Sequence, residues 1–520
     1  MAHFKVPLII RGEVIEDYEL EFKDRSAGGR SFVTPDAAKY VGRIVTASPA
    51  ILEDLYSISF DEIVDYLDAL GGRLDLDSNP YWREAFEVSC HSSNLSRPVL
   101  ESVYRTSPQM LARDTVREIA ETRVGIRFLE GWARTELHDG RAIEVRAVGS
   151  RAAHIIAGNV PVVAIVTMVR SAITRNDAIV KVPSNDPLTM SAIARTMIDM
   201  APDHPLTRHL TVAYWKGGDE AVESRIYQPA HIEKLVAWGG FSSVKHITKY
   251  LQPGIDLITL DPKSSTTLIG REALVDDATL RATARRAAAD LGGWDQEACV
   301  NARVIFLESG TDDAGIALAN RFGSCLFDAV QELPRAISAG SIKFDPALRR
   351  EMQDIAEQPD FYRIFTKKDE MERTGAVIVS QMGEQVDFPG LLSGRVGNVV
   401  PIDRIEDALE SFSAATQTVG IYPDALRTRL RDQGALMGGQ MFVPLGYAVV
   451  PVSCAPQDGI EPERRMCRWV VDTCADPVAI PGPWMHEDEV DRMRSAAEER
   501  RGAIEQATDF RDRAPAAETI

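Results

Sequence analysis

Three short segments hold residue types that can do chemistry. Cys299, in WDQEACVNAR, follows the glycine pair Gly292 and Gly293 and comes immediately before an apolar strand pattern. Core cysteines usually lie inside apolar runs, whereas this one is flanked by Gln296, Glu297 and Asn301. Such a junction can give a thiol access to substrate and a local field that favours thiolate, which a nucleophile requires. An inert, partly buried thiol fits the same context. Asn159, in IIAGNVPV, ends one strand pattern and precedes a helical one. Its amide can donate to a developing oxyanion, or it can cap the helix. Lys181 and Ser184, in VKVPSNDPLT, close the next strand. A cation and a hydroxyl there can grip the hydroxyls or the phosphate of an adenosine ribose.

These residues need a frame, and residues 151 to 310 supply a regular one. HIIAGN, DAIVKV, HLTVAYWKG, HIEKLVAWGG and DLITLD read as strands, while VPVVAIVTMVRSAITRN and NDPLTMSAIARTMIDM read as helices. Asn185 or Asp186 is expected to cap the second helix, with Pro187 in its first turn. Repeated strand-helix-strand units imply right-handed crossovers and a parallel sheet, whose ligands bind at the carboxyl ends of the strands. The helix ATLRATARRAAADLGG then leads through the Cys299 segment to the strand ARVIFLES. The expected organisation has five parts. Residues 1–90 form an N-terminal extension of mixed strands and helices, with Gly71 and Gly72 stopping a helix. A cofactor-binding domain over 91–270 and a catalytic domain over 271–440 follow. Return strands and an oligomerisation segment take 441–484, and a charged C-terminal helix and tail takes 485–520.

Composition narrows the function classes. The 520 residues are 45% hydrophobic and 26% charged, an ordinary globular balance with room for about three domains. Lys+Arg 58 against Asp+Glu 77 leaves a net charge of -19, which repels phosphate backbones and anionic surfaces, so nucleic acid is not an expected partner. Six cysteines without a CxxC pair, no secretory leader pattern and no apolar run of about 20 residues point to the cytoplasm and to no integral membrane segment. Glycine-rich dinucleotide and P-loop signatures, HExxH and GxSxG are all missing. The nine histidines show no ligand spacing, so no metal is expected; His154, His204, His209, His231 and His246 read as structural.

Taken together, AGNVP, KVPSNDPLT and the Cys299 segment resemble the aldehyde dehydrogenase superfamily and, within it, the LuxC-like acyl-CoA reductases. That superfamily binds its dinucleotide without GxGxxG. The resemblance covers roughly residues 90 to 475 and implies an aldehyde-dehydrogenase-like α/β fold. Its parts would be a parallel-sheet dinucleotide-binding domain, an α/β catalytic domain and a small β oligomerisation extension. It also implies that Cys299 is the nucleophile, Asn159 the catalytic asparagine and Lys181 the ribose-binding lysine. Gly240 and Phe241, in AWGGFSS, would form the turn against the cofactor diphosphate. SGRVGNVVPIDRIEDALE would contact the nicotinamide ribose, and GQMFVPLGYAVVPV would lie near the site.

Two departures matter. Aldehyde-oxidising members carry ELGGK, whose Glu activates water; here the run is LDPKSST, where Asp261 is short in reach and followed by Pro262. Gly394 and Arg395 stand where an acidic residue normally holds the nicotinamide ribose. Loss of the water-activating base suits an acyl-cysteine that must survive until hydride reaches it. The expected reaction is therefore reduction of an acyl-CoA thioester, long-chain by family default, to an aldehyde, reversible as CoA-acylating oxidation. Ser184 falls where NAD-selective members place a Glu that would repel a 2′-phosphate, so NADPH is the expected cofactor, with NADH still usable. Expected partners are acyl-CoA, further copies of this chain and an acyl-transfer protein that could deliver the acyl group. Two rivals remain: a CoA-independent aldehyde dehydrogenase that releases a carboxylic acid, and a reductase subunit of a complex that receives its acyl group from a partner acyl-transfer protein.

Overall fold

In a computed structural model, which describes residues 4–23, 31–138, 141–340, 342–367, 369–474 and 482–512, the short apolar runs assemble into two seven-stranded sheets. The first has the spatial order Asp256–Leu260, Lys234–Trp238, Arg151–Ile155, Asp177–Lys181, Leu210–Ala213, Leu8–Ile10, Glu13–Ile15. Its first five strands are parallel, and the last two form an antiparallel hairpin on the edge. Central strands are buried on both faces, as at Ala178, Ile179 and Val180, which is why they read as continuous apolar runs. Chain order reverses between Arg151–Ile155 and Lys234–Trp238. At such a switch point the loops diverge and leave a crevice beyond the strand ends.

The second sheet runs Tyr362–Phe365, Ala376–Ser380, Val396–Pro401, Ala302–Leu307, Ser264–Ile269, Thr416–Tyr422, Met441–Pro444, parallel except for its first strand. Its core includes Leu280, Ala284, Leu291, Phe322 and Leu326, contributed by the helices Asp277–Gly292 and Asp313–Gln331. A separate unit is made of the described residues of Ile126–Val148 and of the chain from Arg468 onward. It holds the antiparallel strands Ala133–Glu136, Ala142–Val148 and Arg468–Cys474 and the helix Glu487–Asp512. No helix among the described residues is long and apolar enough to cross a membrane.

Several boundaries differ from the sequence expectations. Leu8–Ile10 pairs with Leu210–Ala213, so this part of the N-terminal extension adds to the first sheet. Ser264–Ile269 lies between Ala302–Leu307 and Thr416–Tyr422, so the second sheet begins before 270. Met441–Pro444 completes that sheet, and the small β element draws on 133–148 as well as on 468–474. The helix Phe60–Arg73 runs through Gly71 and Gly72. Gly71 serves close packing instead, since a Cβ there would lie 3.0 Å from the Pro108 carbonyl. The helix Thr189–Met200 starts after Pro187 and has no side-chain cap. Residues 513–520 of the expected tail lie outside the described residues.

Candidate active site

The helix Asp277–Gly292 delivers the chain to the Cys299 loop through an unusual turn. Trp294, Asp295 and Gln296 have φ of 49°, 51° and 65°. Each left-handed non-glycine residue costs about 1–3 kcal/mol and persists only where its surroundings enforce it. Here they do. The Asp295 carboxylate accepts from the backbone N–H groups of Ser96 (2.8 Å), Ala339 (2.8 Å) and Gly340 (3.0 Å). The Gln296 amide donates to the Val396 carbonyl and accepts from the Val396 N–H, both at 2.8 Å. Asn301 donates to the carbonyls of Gly293 (2.8 Å) and Asp290 (3.1 Å) and accepts from the Ala298 N–H. The polar residues Gln296 and Asn301, which make the loop look accessible in sequence, are therefore buried anchors. The Ser265 hydroxyl adds a bond to the Cys299 carbonyl at 2.7 Å.

Asn159 faces this loop. It lies ahead of the helix Val162–Ile173, whose first turn has no side-chain cap, so the capping reading does not hold. Instead its Nδ2 donates to the Glu297 carbonyl at 3.1 Å. Gly158 is needed beside it, because a Cβ there would lie 2.4 Å from Asn185 Oδ1 and 2.6 Å from Pro183 Cγ. The Asn185 amide donates to the Gly158 carbonyl at 2.8 Å, so two strand-end loops hold each other.

Two cavities meet at Cys299. A cleft of about 730 Å³ lies at the carboxyl ends of the parallel strands of the first sheet, and Asn159, Lys181, Ser184 and Gly240 line it. An apolar chamber of about 220 Å³ is lined by Val162, Val166, Val169, Val449 and Val450 among others. Cys299, Trp238 and Asp458 line both. Burial pushes the Cys299 thiol above its ordinary range, and the nearby Asp458 adds to this, while Gln417, the residue's own N–H and Arg303 oppose it. The Gln417 amide also donates to the Asp458 carboxylate. Burial raises the Asp458 and Glu297 carboxyls as well. Sequence reading singled out neither as a site residue. Asp458 reaches the site from a distant turn, and no local pattern marks it.

The cleft suits a nicotinamide dinucleotide. Lys181 stands over the rings of Tyr214 and Trp215 at 5.8 and 5.9 Å, and the cleft includes three further lysines, Lys23, Lys216 and Lys263. A Cβ at Gly240 would meet nothing within 4 Å, so the end of Lys234–Trp238 opens onto free space. Ser184 lines the cleft while only 8% exposed. Two expectations need correction. Phe241 is 73% exposed, does not line the cleft and stands near Lys245, because the first turn of its helix points it to solvent. Arg395 is buried, donates to the Val330 carbonyl at 2.6 Å and leads into the central strand Val396–Pro401, so this segment lines neither cavity. In GQMFVPLGYAVVPV, by contrast, Gln440, Met441 and Ala448 to Val452 line the chamber.

Comparison with known proteins agrees with this geometry. The chain is 23% identical over 476 residues to the long-chain acyl-protein thioester reductase of Vibrio harveyi, covering 89% of this chain and 92% of that one. It is 28% identical over 319 residues to that of Photorhabdus laumondii, covering 61% and 62%. Its fold is similar to that of lactaldehyde dehydrogenase from Escherichia coli (TM-score 0.66, 14% identity, 91% of this chain and 99% of that chain). Aldehyde dehydrogenase 21 from Physcomitrella patens is similar too (TM-score 0.70, 11% identity, 91% and 98%). The fold is thus that of the aldehyde dehydrogenases. Residues 55–469, most of the chain, match the family model described as acyl-CoA reductase (LuxC), and the protein belongs to that family of oxidoreductases acting on acyl and aldehyde groups.

Proposed function

We propose that Cys299 takes an acyl group from a thioester and that the acyl-cysteine is then reduced to an aldehyde at the expense of a reduced nicotinamide dinucleotide, NADPH in preference to NADH. The observation that carries this reading is the position of Cys299, on the wall of both the polar cleft and the apolar chamber. The Cys299 thiolate attacks the thioester carbonyl, a new C–S bond forms, and the carrier leaves as a thiolate. With thiol pKa values of about 8.5, that departure needs little acid assistance. An asparagine amide has two N–H donors. One from Asn159 goes to the Glu297 carbonyl, and the other, with the Cys299 backbone N–H, holds the oxyanion of each tetrahedral state.

Lys181, Ser184 and Gly240 would hold the cofactor, the lysine charge and serine hydroxyl favouring a 2′-phosphate. When bound, the cofactor supplies the hydride. Collapse of the resulting thiohemiacetal oxyanion expels Cys299 and releases the aldehyde. Because burial keeps the resting thiol protonated, its proton must pass to a base, and Asp458 and Glu297 are carboxyls within the same site. Either could also activate water, so LDPKSST alone does not exclude the acid-producing rival.

The names of the relatives support a long-chain acyl group delivered by an acyl-protein, and the family name supports CoA as a second carrier. The small unit is the proposed oligomerisation element, since Val470 and Val471 on its strand Arg468–Cys474 are 38% and 54% exposed. The test follows reduced-cofactor absorbance with tetradecanoyl-CoA and with a tetradecanoyl carrier protein, while the product is trapped. Aldehyde formed in step with cofactor oxidation is expected. Inactivity on both thioesters, together with carrier-independent oxidation of aldehyde to acid, would overturn the reading.

A further inference from the structure

The apolar chamber carries a charge that the reaction does not use. Val162, Val166, Val169 and Arg170 line it from one helix, Val162–Ile173. At 1.5 Å per residue, Arg170 lies about 12 Å along that helix from Val162, the first residue of the helix and three positions after Asn159. Arg123, Glu463 and Gln457 join Arg170 on the chamber wall. Arg123, Arg170 and Glu463 are 2%, 7% and 2% exposed.

The charges in this group do not balance. Glu463 Oε1 accepts from Arg170 Nε at 2.8 Å, and Arg170 donates to Gln457 at 2.5 Å, so that pair is complete. Arg123 adds a second guanidinium. Its contact with acid is Nε to Glu463 Oε2 at 3.5 Å, and both atoms are buried without a hydrogen-bond partner. Of the other acids near it, Glu461 is half exposed and pairs with Arg464. Asp458 lies toward Cys299, where its carboxylate accepts from the Gln417 amide. Two buried cations thus share one anion. An uncompensated buried charge costs several kcal/mol, and an aliphatic wall gives it nothing in return.

We propose that the chamber selects acyl thioesters whose distal end carries a carboxylate, with the acyl chain along Val162, Val166 and Val169 and the carboxylate on Arg123. This rests on the reading of Cys299 as the acyl acceptor. A planar guanidinium can take a carboxylate bidentately, and the bound carboxylate would restore neutrality. Because Arg123 and Arg170 both contact Glu463, the chain must span roughly the 12 Å of helix from Val162 to Arg170, which suits a medium-length dicarboxylic half-thioester.

The experiment compares decanoyl and ω-carboxydecanoyl thioesters, each on CoA and on pantetheine, which lacks the CoA phosphates. Wild type should favour the carboxylated chain by about tenfold or more in kcat/KM, on either carrier. Arg123→Met, which leaves the Arg170–Glu463 pair complete, should lose that preference through KM while reducing decanoyl substrates within a few-fold of wild type. Arg123→Lys should keep part of it. Preference for the neutral chain, equal losses on both chains, or a loss that follows the CoA phosphates would each overturn the inference. Turnover of no thioester would instead sink the acyl-reductase reading. The inference is then judged by binding of the two pantetheine thioesters to Cys299→Ala, where about tenfold tighter binding of the carboxylated one is expected and equal binding would overturn it.

Discussion

Replacing Asn159 with alanine should separate catalysis from stability. The side chain makes one hydrogen bond in the structure, Nδ2 to the Glu297 carbonyl at 3.1 Å. Losing such a bond costs about 0.5–1.5 kcal/mol. No helix cap goes with it, because Val162–Ile173 has no side-chain cap. The folded protein should therefore lose only a few degrees of thermal stability. Turnover should fall far more, by about 10²–10³, the effect of removing one oxyanion donor and equivalent to about 2.7–4 kcal/mol in the barrier. Single-turnover aldehyde formation, the KM for thioester and the cofactor affinity distinguish the two effects. The loss should appear in the chemical step, with KM and cofactor affinity within a few-fold of wild type. Asn159→Asp should be slower still, since it turns an acceptor toward both the oxyanion and the Glu297 carbonyl. A clear drop in melting temperature with turnover within about fivefold of wild type would show that Asn159 only ties two loops together, and the oxyanion argument would fail.

Cys299 should react with iodoacetamide only as its thiolate. With burial and Asp458 holding the thiol above the ordinary range near 8.5, labelling should rise steeply with pH and still be rising at about pH 9. A plateau below about pH 8 would contradict this. Ser184→Glu puts a carboxylate beside Lys181 and should weaken NADPH binding by about 1–3 kcal/mol while sparing NADH. Titration with both cofactors checks this, and equal weakening would remove Ser184 from the 2′ position. Asp295→Ala strips the acceptor from three backbone N–H groups, and at about 1–3 kcal/mol for each buried group left unpaired it should destabilise the protein by at least about 3 kcal/mol. A melting curve like that of wild type would mean that the Cys299 loop is held by other contacts.

The residues that were legible in the sequence share a location. Asn159, Lys181, Ser184 and Gly240 sit just past the ends of short apolar strands, where pattern and chemistry coincide, and the cleft collects all four. What was not legible depends on distant packing. The left-handed turn at Trp294, Asp295 and Gln296 includes two residue types, Trp and Gln, with no preference for that conformation, and its anchors come from Ser96, Ala339, Gly340 and Val396. Asp458 and the Arg123–Glu463–Arg170 group are brought to the chamber by chain segments with no shared motif. Ser264–Ile269 has four polar residues in six, and nothing local says which of two adjacent sheets it joins. Phe241 and Arg395 show the opposite failing. Local likeness marked their segments, but side-chain direction took one to solvent and the other into the second sheet's core.

The central claim is that the acyl group is carried by Cys299. Incubating the protein with tetradecanoyl-CoA without cofactor, and then mapping the acylated peptide by mass spectrometry, tests it most directly. Wild type should carry one acyl group on the peptide containing Cys299, discharged as aldehyde when reduced cofactor is added. Cys299→Ala should show neither label nor aldehyde while still binding cofactor, and variants at Cys325 or Cys454 should label like wild type. Acylation that persists in Cys299→Ala, or aldehyde produced without it, would contradict the account.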